Sequence, residues 1–180
     1  ILLSDDIINS IKCLKKLGIK ILLNNKNCTI YGKGLNGFNY KKNIVLDAGN
    51  SGTFARLILG LLVKSPYYIR LIGDKSLSKR DFNRVISPLQ KIGANFQINS
   101  KKTLPLKIIG SNLTNPILYN ENRGSAQCKS AIMLAGLNSP GTTIIKAKKS
   151  RDHTENIFKY LGIPISVKKK KLNDEIKIKG

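Results

Sequence analysis

The chain has 180 residues, 41% of them hydrophobic, and a formal net charge of +22. That length and apolar content suit one compact domain, or one lobe of a larger protein, and exclude a disordered chain. The longest apolar stretches, such as Leu57 to Val63, fall well short of the roughly 20 residues that a membrane-crossing helix needs, and three scattered cysteines with a single histidine, His153, support neither a disulfide framework nor a metal site.

In chain order, the apolar periodicity predicts a helix over 4–17 that stops at Gly18, then strands over 19–23 and 28–31. The stretch Gly32-Lys33-Gly34-Leu35-Asn36-Gly37 matches a dinucleotide-binding spacing, but Phe38 to Asn43 is no helix start, so it reads as a plain glycine loop. A strand over 44–46 leads through Ser51-Gly52-Thr53 into a helix over 52–63, followed by a strand over 67–72. The next helix, 84–92, contains Pro88; either the proline sits inside a helix begun at Arg84, or Ser87 caps a helix whose first residue is Pro88. Gly93 ends it, and strands follow over 95–99 and 106–109. Ser125-Ala126-Gln127 opens a helix over 126–137, a strand covers 142–146, and Asp152 with Glu155 form a capping pair for a helix over 153–161 ending at Gly162. Strands over 163–167 and 175–179 flank the lysine run 168–171, read as the solvated tip of a hairpin.

These elements repeat. Leu14 to Ile19, Leu89 to Ala94 and Phe158 to Ile163 share one helix-end pattern with glycine as the residue after the helix, about 70 to 75 residues apart. Ser51 and Ser125 open a second helix type at a similar spacing. An α/β fold of quasi-threefold repeats follows, the first repeat lacking its opening strand and helix. With Ile1 in place of a methionine, the chain is expected to be an excerpt of something longer.

The positive charge invites a nucleic-acid reading, because neutralising phosphates releases counterions. Its distribution argues against one: lysines occur in nearly every segment, and aromatics, at 6%, form no stacking series. Anionic small molecules remain compatible with the charge. The helix starts supply places for them, because the first turn offers unpaired N–H groups and a partial positive charge when small residues permit close approach. "DAGNSGTFAR" (47–56), "GSAQCKS" (124–130) and "KSRDHTE" (149–155) are three such starts, with Arg56, Arg151 and, in "GDKSLSKRD", Arg80 near them. Helices of one type in related repeats point the same way, so one face should bind more than one anionic group.

Four blocks, "LDAGNSGTFARLILGLL", "GDKSLSKRDFNRVISPLQKIGA", "SAQCKSAIMLAGL" and "KSRDHTENIFKYLG", together resemble 5-enolpyruvylshikimate-3-phosphate synthases of the bacterial type, in family order over residues 46–162. The resemblance implies two similar lobes, each an inverted α/β barrel of three βαβαββ units with helix starts facing a cleft, and makes residues 1–180 a single, incomplete N-terminal lobe. It implies transfer of the enolpyruvyl group of phosphoenolpyruvate to the 5-hydroxyl of shikimate 3-phosphate with release of phosphate, in the pathway to chorismate and the aromatic amino acids. Ser125, Ala126, Gln127, Ser150 and Arg151 would hold shikimate 3-phosphate. Asn50, Gly52, Arg80 and Gln127 would line the phosphoenolpyruvate side, where glyphosate, the inhibitor associated with the family, would also sit.

No catalytic residue is expected in this chain; the acid and base would lie in the second lobe, and the fragment alone would be inactive. Neither cofactor nor metal is implied, nor a nucleic-acid or membrane partner. The complete protein would be a cytoplasmic monomer. Some relatives carry serine where Ala126 stands, which leaves a backbone N–H to serve there alone. The related enolpyruvyl transferase for UDP-N-acetylglucosamine uses a cysteine in the loop where this chain has "GDKSLSKRD", and so fits less well.

Overall fold

Alternation along the strands sets the architecture of the computed structural model, which describes residues 1–180. Ile69 and Leu71, Leu106 and Ile108, Ile145 and Ala147, and Ile176 and Ile178 are buried, whereas Arg70, Lys107, Lys146 and Lys177 between them face solvent. A period of two places one face of each sheet on the core and the other in water. Arg70, Lys107, Lys146 and Lys177 thus put positive charge on the outer faces of the sheets.

The chain begins with α1 (Asp5–Lys16) and the antiparallel hairpin β1 (Lys20–Asn24) and β2 (Asn27–Tyr31). Two units of identical topology follow. The first comprises β3 (Val45–Asp47), α2 (Gly52–Leu61), β4 (Ile69–Ile72), α3 (Asn83–Ile92), β5 (Asn95–Ile98) and β6 (Leu106–Ile109). The second comprises β7 (Leu118–Glu121), α4 (Ala126–Gly136), β8 (Thr142–Lys148), α5 (His153–Tyr160), β9 (Ile165–Lys169) and β10 (Asn173–Lys179). Their sheets run β3-β4-β6-β5 and β7-β8-β10-β9, with the first pair parallel and the other two antiparallel in each. Both are βαβαββ units, and α1, β1 and β2 repeat the last helix and hairpin of the pattern. This is the mixed α/β repeat fold expected from the sequence.

The helices fall into the two expected types. Helices α1, α3 and α5 run to glycines in the left-handed region, Gly18 (φ 85°), Gly93 (φ 128°) and Gly162 (φ 67°), where a Cβ would clash with the backbone. Helices α2 and α4 form the interior. Gly60 lets them touch, since a methyl group there would overlap the carbonyl of Ala131. Helix α4 is buried almost all round, from Cys128 to Met133 and again at Ala135 and Gly136, which is why it lacks a clear amphipathic stripe.

Three expectations need correction, and the alternative left open at Pro88 is resolved. Strand β7 was not predicted: its alternation is inverted, because Leu118 is exposed and Glu121 is buried to accept N–H bonds from Arg123 and Ser125. Asp152 and Glu155 do not form a capping pair; Asp152 accepts instead from the Asn156 side chain at 3.2 Å, and Glu155 turns inward to Lys129. Helix α3 runs through Pro88 from Asn83, with the Asp81 carboxylate accepting the Asn83 N–H at 2.7 Å, so Ser87 is no cap. The last hairpin is shifted: Lys168 and Lys169 belong to β9, and only Lys170 to Leu172 make the turn. The glycine run 32–37 lies in the loop between β2 and β3, with no helix after it.

Candidate active site

The two interior helices open by the same device. Strand β3 ends at Asp47, whose carboxylate accepts the N–H of Gly49 at 2.9 Å; Gly49 has φ 55°, and Ser51 then caps α2 by accepting the Phe54 N–H at 3.3 Å. Strand β7 ends at Glu121, whose carboxylate accepts from Arg123 and Ser125; Gly124 has φ 69°, and Ser125 caps α4 by accepting the Cys128 N–H at 3.3 Å. Each start leaves first-turn N–H groups without an intrahelical partner. The residues there, Gly52 and Thr53 on α2 and Ala126 and Gln127 on α4, are small apart from the glutamine.

Gln127 joins the two starts. Its Nε2 donates to Thr53 Oγ1 at 2.9 Å, and its Oε1 accepts from Arg56 Nη1 at 3.1 Å. Arg56 is 4% exposed, lies over the Phe82 ring at 5.0 Å, and donates also to the carbonyls of Gly52 at 3.0 Å and Asp81 at 3.5 Å. Burial, reinforced by the charges of Arg84 and then Arg80, pulls its pKa below the usual guanidinium value. A guanidinium keeps its charge through neutral pH, so Arg56 is a fixed cation under the helix starts.

Arg80 completes this side. Asp74 accepts the Leu77 N–H at 2.7 Å and sets the short 3-10 turn Leu77–Lys79, after which Arg80 is exposed with its guanidinium beside Gly52. A Cβ on Gly52 would lie 2.8 Å from Arg56 Nη1 and 2.9 Å from Arg80 Nη1. A methyl group at Gly52 would thus crowd both guanidinium groups, of which the exposed Arg80 is the freer to shift. Asn50 stands two residues earlier, exposed in the turn, and its side chain makes no hydrogen bond within the chain.

The other side is a concave pocket of about 450 Å³ lined by Gly124, Ser125, Ala126, Gln127, Ser150 and Arg151. Ser150 Oγ is buried there without a hydrogen-bond partner in the chain, a state that costs free energy unless something else supplies the partner. Arg151 is exposed. The geometry therefore gathers Ser125, Ala126, Gln127, Ser150 and Arg151 in one hollow and Gly52, Arg56 and Arg80 in the adjoining corner, with Gln127 common to both. Asn50 stands in the turn before Gly52 and does not line the hollow. A larger hollow, of about 700 Å³, lies between α1 and α2 around Ile7, Phe54 and Leu57 and is mostly apolar, so it offers little to an anion.

The sequence places Arg56 near a helix start without a role, spaces Glu155 for a cap, and gives no role to Glu121 or Lys129. A lysine within the apolar run of α4 was the available signal for Lys129, which is 2% exposed. The acidic residues Asp47, Asp74 and Asp81 serve turns, each accepting a backbone N–H.

The repeated βαβαββ units bring backbone N–H groups, hydroxyls and guanidinium groups at their helix starts to one face, an arrangement suited to small anions. The sequence model of EPSP synthase (3-phosphoshikimate 1-carboxyvinyltransferase) matches residues 1–180. The 3-phosphoshikimate 1-carboxyvinyltransferase of Ruthia magnifica is 47% identical over 170 residues, covering 93% of this chain and 38% of that protein. The enzyme of the same name from Bacillus cytotoxicus is 44% identical over 92% of this chain and 39% of its own length. EPSP synthase from Acinetobacter baumannii superposes with a TM-score of 0.89 at 34% identity, covering 100% of this chain and 40% of that one. The chain belongs to the EPSP synthase family, and it spans about two fifths of the length of these relatives.

Proposed function

We propose that residues 1–180 form the substrate-binding part of an N-terminal lobe in an enzyme that transfers the enolpyruvyl group of phosphoenolpyruvate to the 5-hydroxyl of shikimate 3-phosphate, releasing phosphate. The observation that carries this reading is the shared position of Gln127 between two cationic subsites. Two anionic substrates must lie side by side for the transfer, and an amide that donates and accepts can touch both without adding charge. Shikimate 3-phosphate takes the pocket of Ser125, Ala126, Gln127, Ser150 and Arg151, where the Arg151 guanidinium and the N–H groups at the start of α4 meet its phosphate. Phosphoenolpyruvate takes the corner of Asn50, Gly52, Arg80 and Gln127, with Arg56 holding the glutamine. Proton transfer at the methylene carbon and at the hydroxyl requires groups within hydrogen-bond reach, and these come from the part of the protein beyond this chain.

Titrating shikimate 3-phosphate into the 180-residue chain while following backbone amide shifts tests the assignment. Saturable shifts are expected at 125–127 and 150–151, with no phosphate release when phosphoenolpyruvate is added. Shifts confined to other residues, or turnover by the chain alone, would refute it.

Arg80 gives a second test in the full-length enzyme. Its planar guanidinium suits a carboxylate or phosphate, and loss of such a charged hydrogen bond costs about 1.5–3 kcal/mol. Arg80→Ala is expected to raise the KM for phosphoenolpyruvate and lower kcat, with binding of shikimate 3-phosphate alone unchanged. Unaltered phosphoenolpyruvate kinetics would remove Arg80 from the site.

A further inference from the structure

Beneath the pocket lies an ion pair that the proposed binding residues do not include. Lys129 Nζ is 2.5 Å from Glu155 Oε1, with the two side chains 2% and 4% exposed, and it also donates to the backbone carbonyl of Arg151 at 3.0 Å. One position along each helix, Ser130 Oγ and Thr154 Oγ1 form a parallel link at 2.6 Å. Lys129 sits one turn inside α4, the helix that begins with Ala126 and Gln127; Arg151 and Glu155 sit at the start of α5. One ammonium group thus ties together the two walls of the pocket.

Burying an ion pair is a poor route to stability, because the desolvation of both charges offsets their attraction and apolar replacements are often as good. Glu155 Oε2 even lacks a partner. What an apolar pair cannot do is donate to the Arg151 carbonyl. We propose that Lys129 is a positioning residue for the anion pocket: by holding the Arg151 backbone it sets the wall at Ser150 and the Arg151 guanidinium against the start of α4, so that the guanidinium and the helix start meet one phosphate group. This inference rests on the reading of the pocket as the shikimate 3-phosphate site. Glu155 is the counter-charge of the ammonium, and the carbonyl contact transmits the position of Lys129 to the ligand.

Two variants of the full-length protein separate positioning from stability. In Lys129→Met/Glu155→Leu the buried pair becomes apolar and the carbonyl contact is lost; in Glu155→Gln the charge partner is weakened and the contact to the Arg151 carbonyl is kept. The double variant is expected to melt within a few degrees of the parent yet to raise the KM for shikimate 3-phosphate about tenfold or more, the cost of misplacing a charged hydrogen bond, with the KM for phosphoenolpyruvate little changed. Glu155→Gln is expected to melt lower but to keep the parent KM for shikimate 3-phosphate. A structural role alone predicts the reverse, with KM following the melting temperature in both variants, and that result overturns the proposal. If the double variant does not fold, a raised KM in Glu155→Gln overturns it and a parent KM there sustains it. A parent protein that does not bind shikimate 3-phosphate overturns the pocket assignment and this inference together, whereas a parent that binds it beside an unaffected double variant overturns the inference alone.

Discussion

Glu155→Ala is expected to destabilise the fold by about 3–5 kcal/mol, because removing one member of a buried pair leaves the other charge uncompensated. Lys129 is 2% exposed, enclosed where side-chain links join α4 to α5. The Arg151 carbonyl at 3.0 Å is a dipole and offsets only part of the lost carboxylate. Urea unfolding of variant and parent measures the difference. Lys170 and Glu175 provide a comparison within the same protein, since they also form an ion pair, at 3.0 Å, but lie at a hairpin tip with Lys170 half exposed. Exposed pairs contribute little, so Glu175→Ala is expected to leave the unfolding midpoint in place. Equal effects of the two substitutions would show that water reaches Lys129.

Gly60→Ala is expected to destabilise the protein by about 1–3 kcal/mol, the usual cost of overpacking a filled core. The sign is what makes the result informative. Exchanging glycine for alanine within a helix ordinarily stabilises by about 0.5–1 kcal/mol through backbone entropy. Here the new methyl group would overlap the Ala131 carbonyl, and a backbone atom in the middle of a buried helix has nowhere to go. Relief requires α2 and α4 to separate, and both helices carry the candidate site at their N-termini. Affinity for shikimate 3-phosphate should therefore fall together with stability. A Gly60→Ala protein that is as stable as the parent would mean that the helices are not in the contact described.

The same helix pair shows how far the sequence could be read. Its starts were legible because a capping serine acts within one turn: Ser51 meets Phe54 and Ser125 meets Cys128, each three residues away. The repeat was legible for a similar reason, since Gly18, Gly93 and Gly162 each end a helix by a local backbone conformation. The small residues at 52, 53 and 126 and the arginines at 80 and 151 likewise stand out as residue types suited to anions at a helix start.

What the sequence by itself determined, then, were the features decided within a few residues: helix types and their ends, the alternation of most strands, and the βαβαββ repeat. The tertiary structure alone decided which of these groups meet. Gln127 finds Arg56 and Thr53 across separations of 71 and 74 residues, and Lys129 finds the Arg151 carbonyl across 22. Glu155, spaced for a local cap with Asp152, goes instead to Lys129, because an ammonium already enclosed by α4 leaves the carboxylate a stronger partner than a solvated N–H group. Strand β7 was hidden for a related reason: its inward residue is Glu121, whose burial makes sense only once the N–H groups of Arg123 and Ser125 are folded onto it. Local conformational preference is written residue by residue, whereas the choice of partner for a polar group depends on what packing has removed from water, and that exists only in the folded chain.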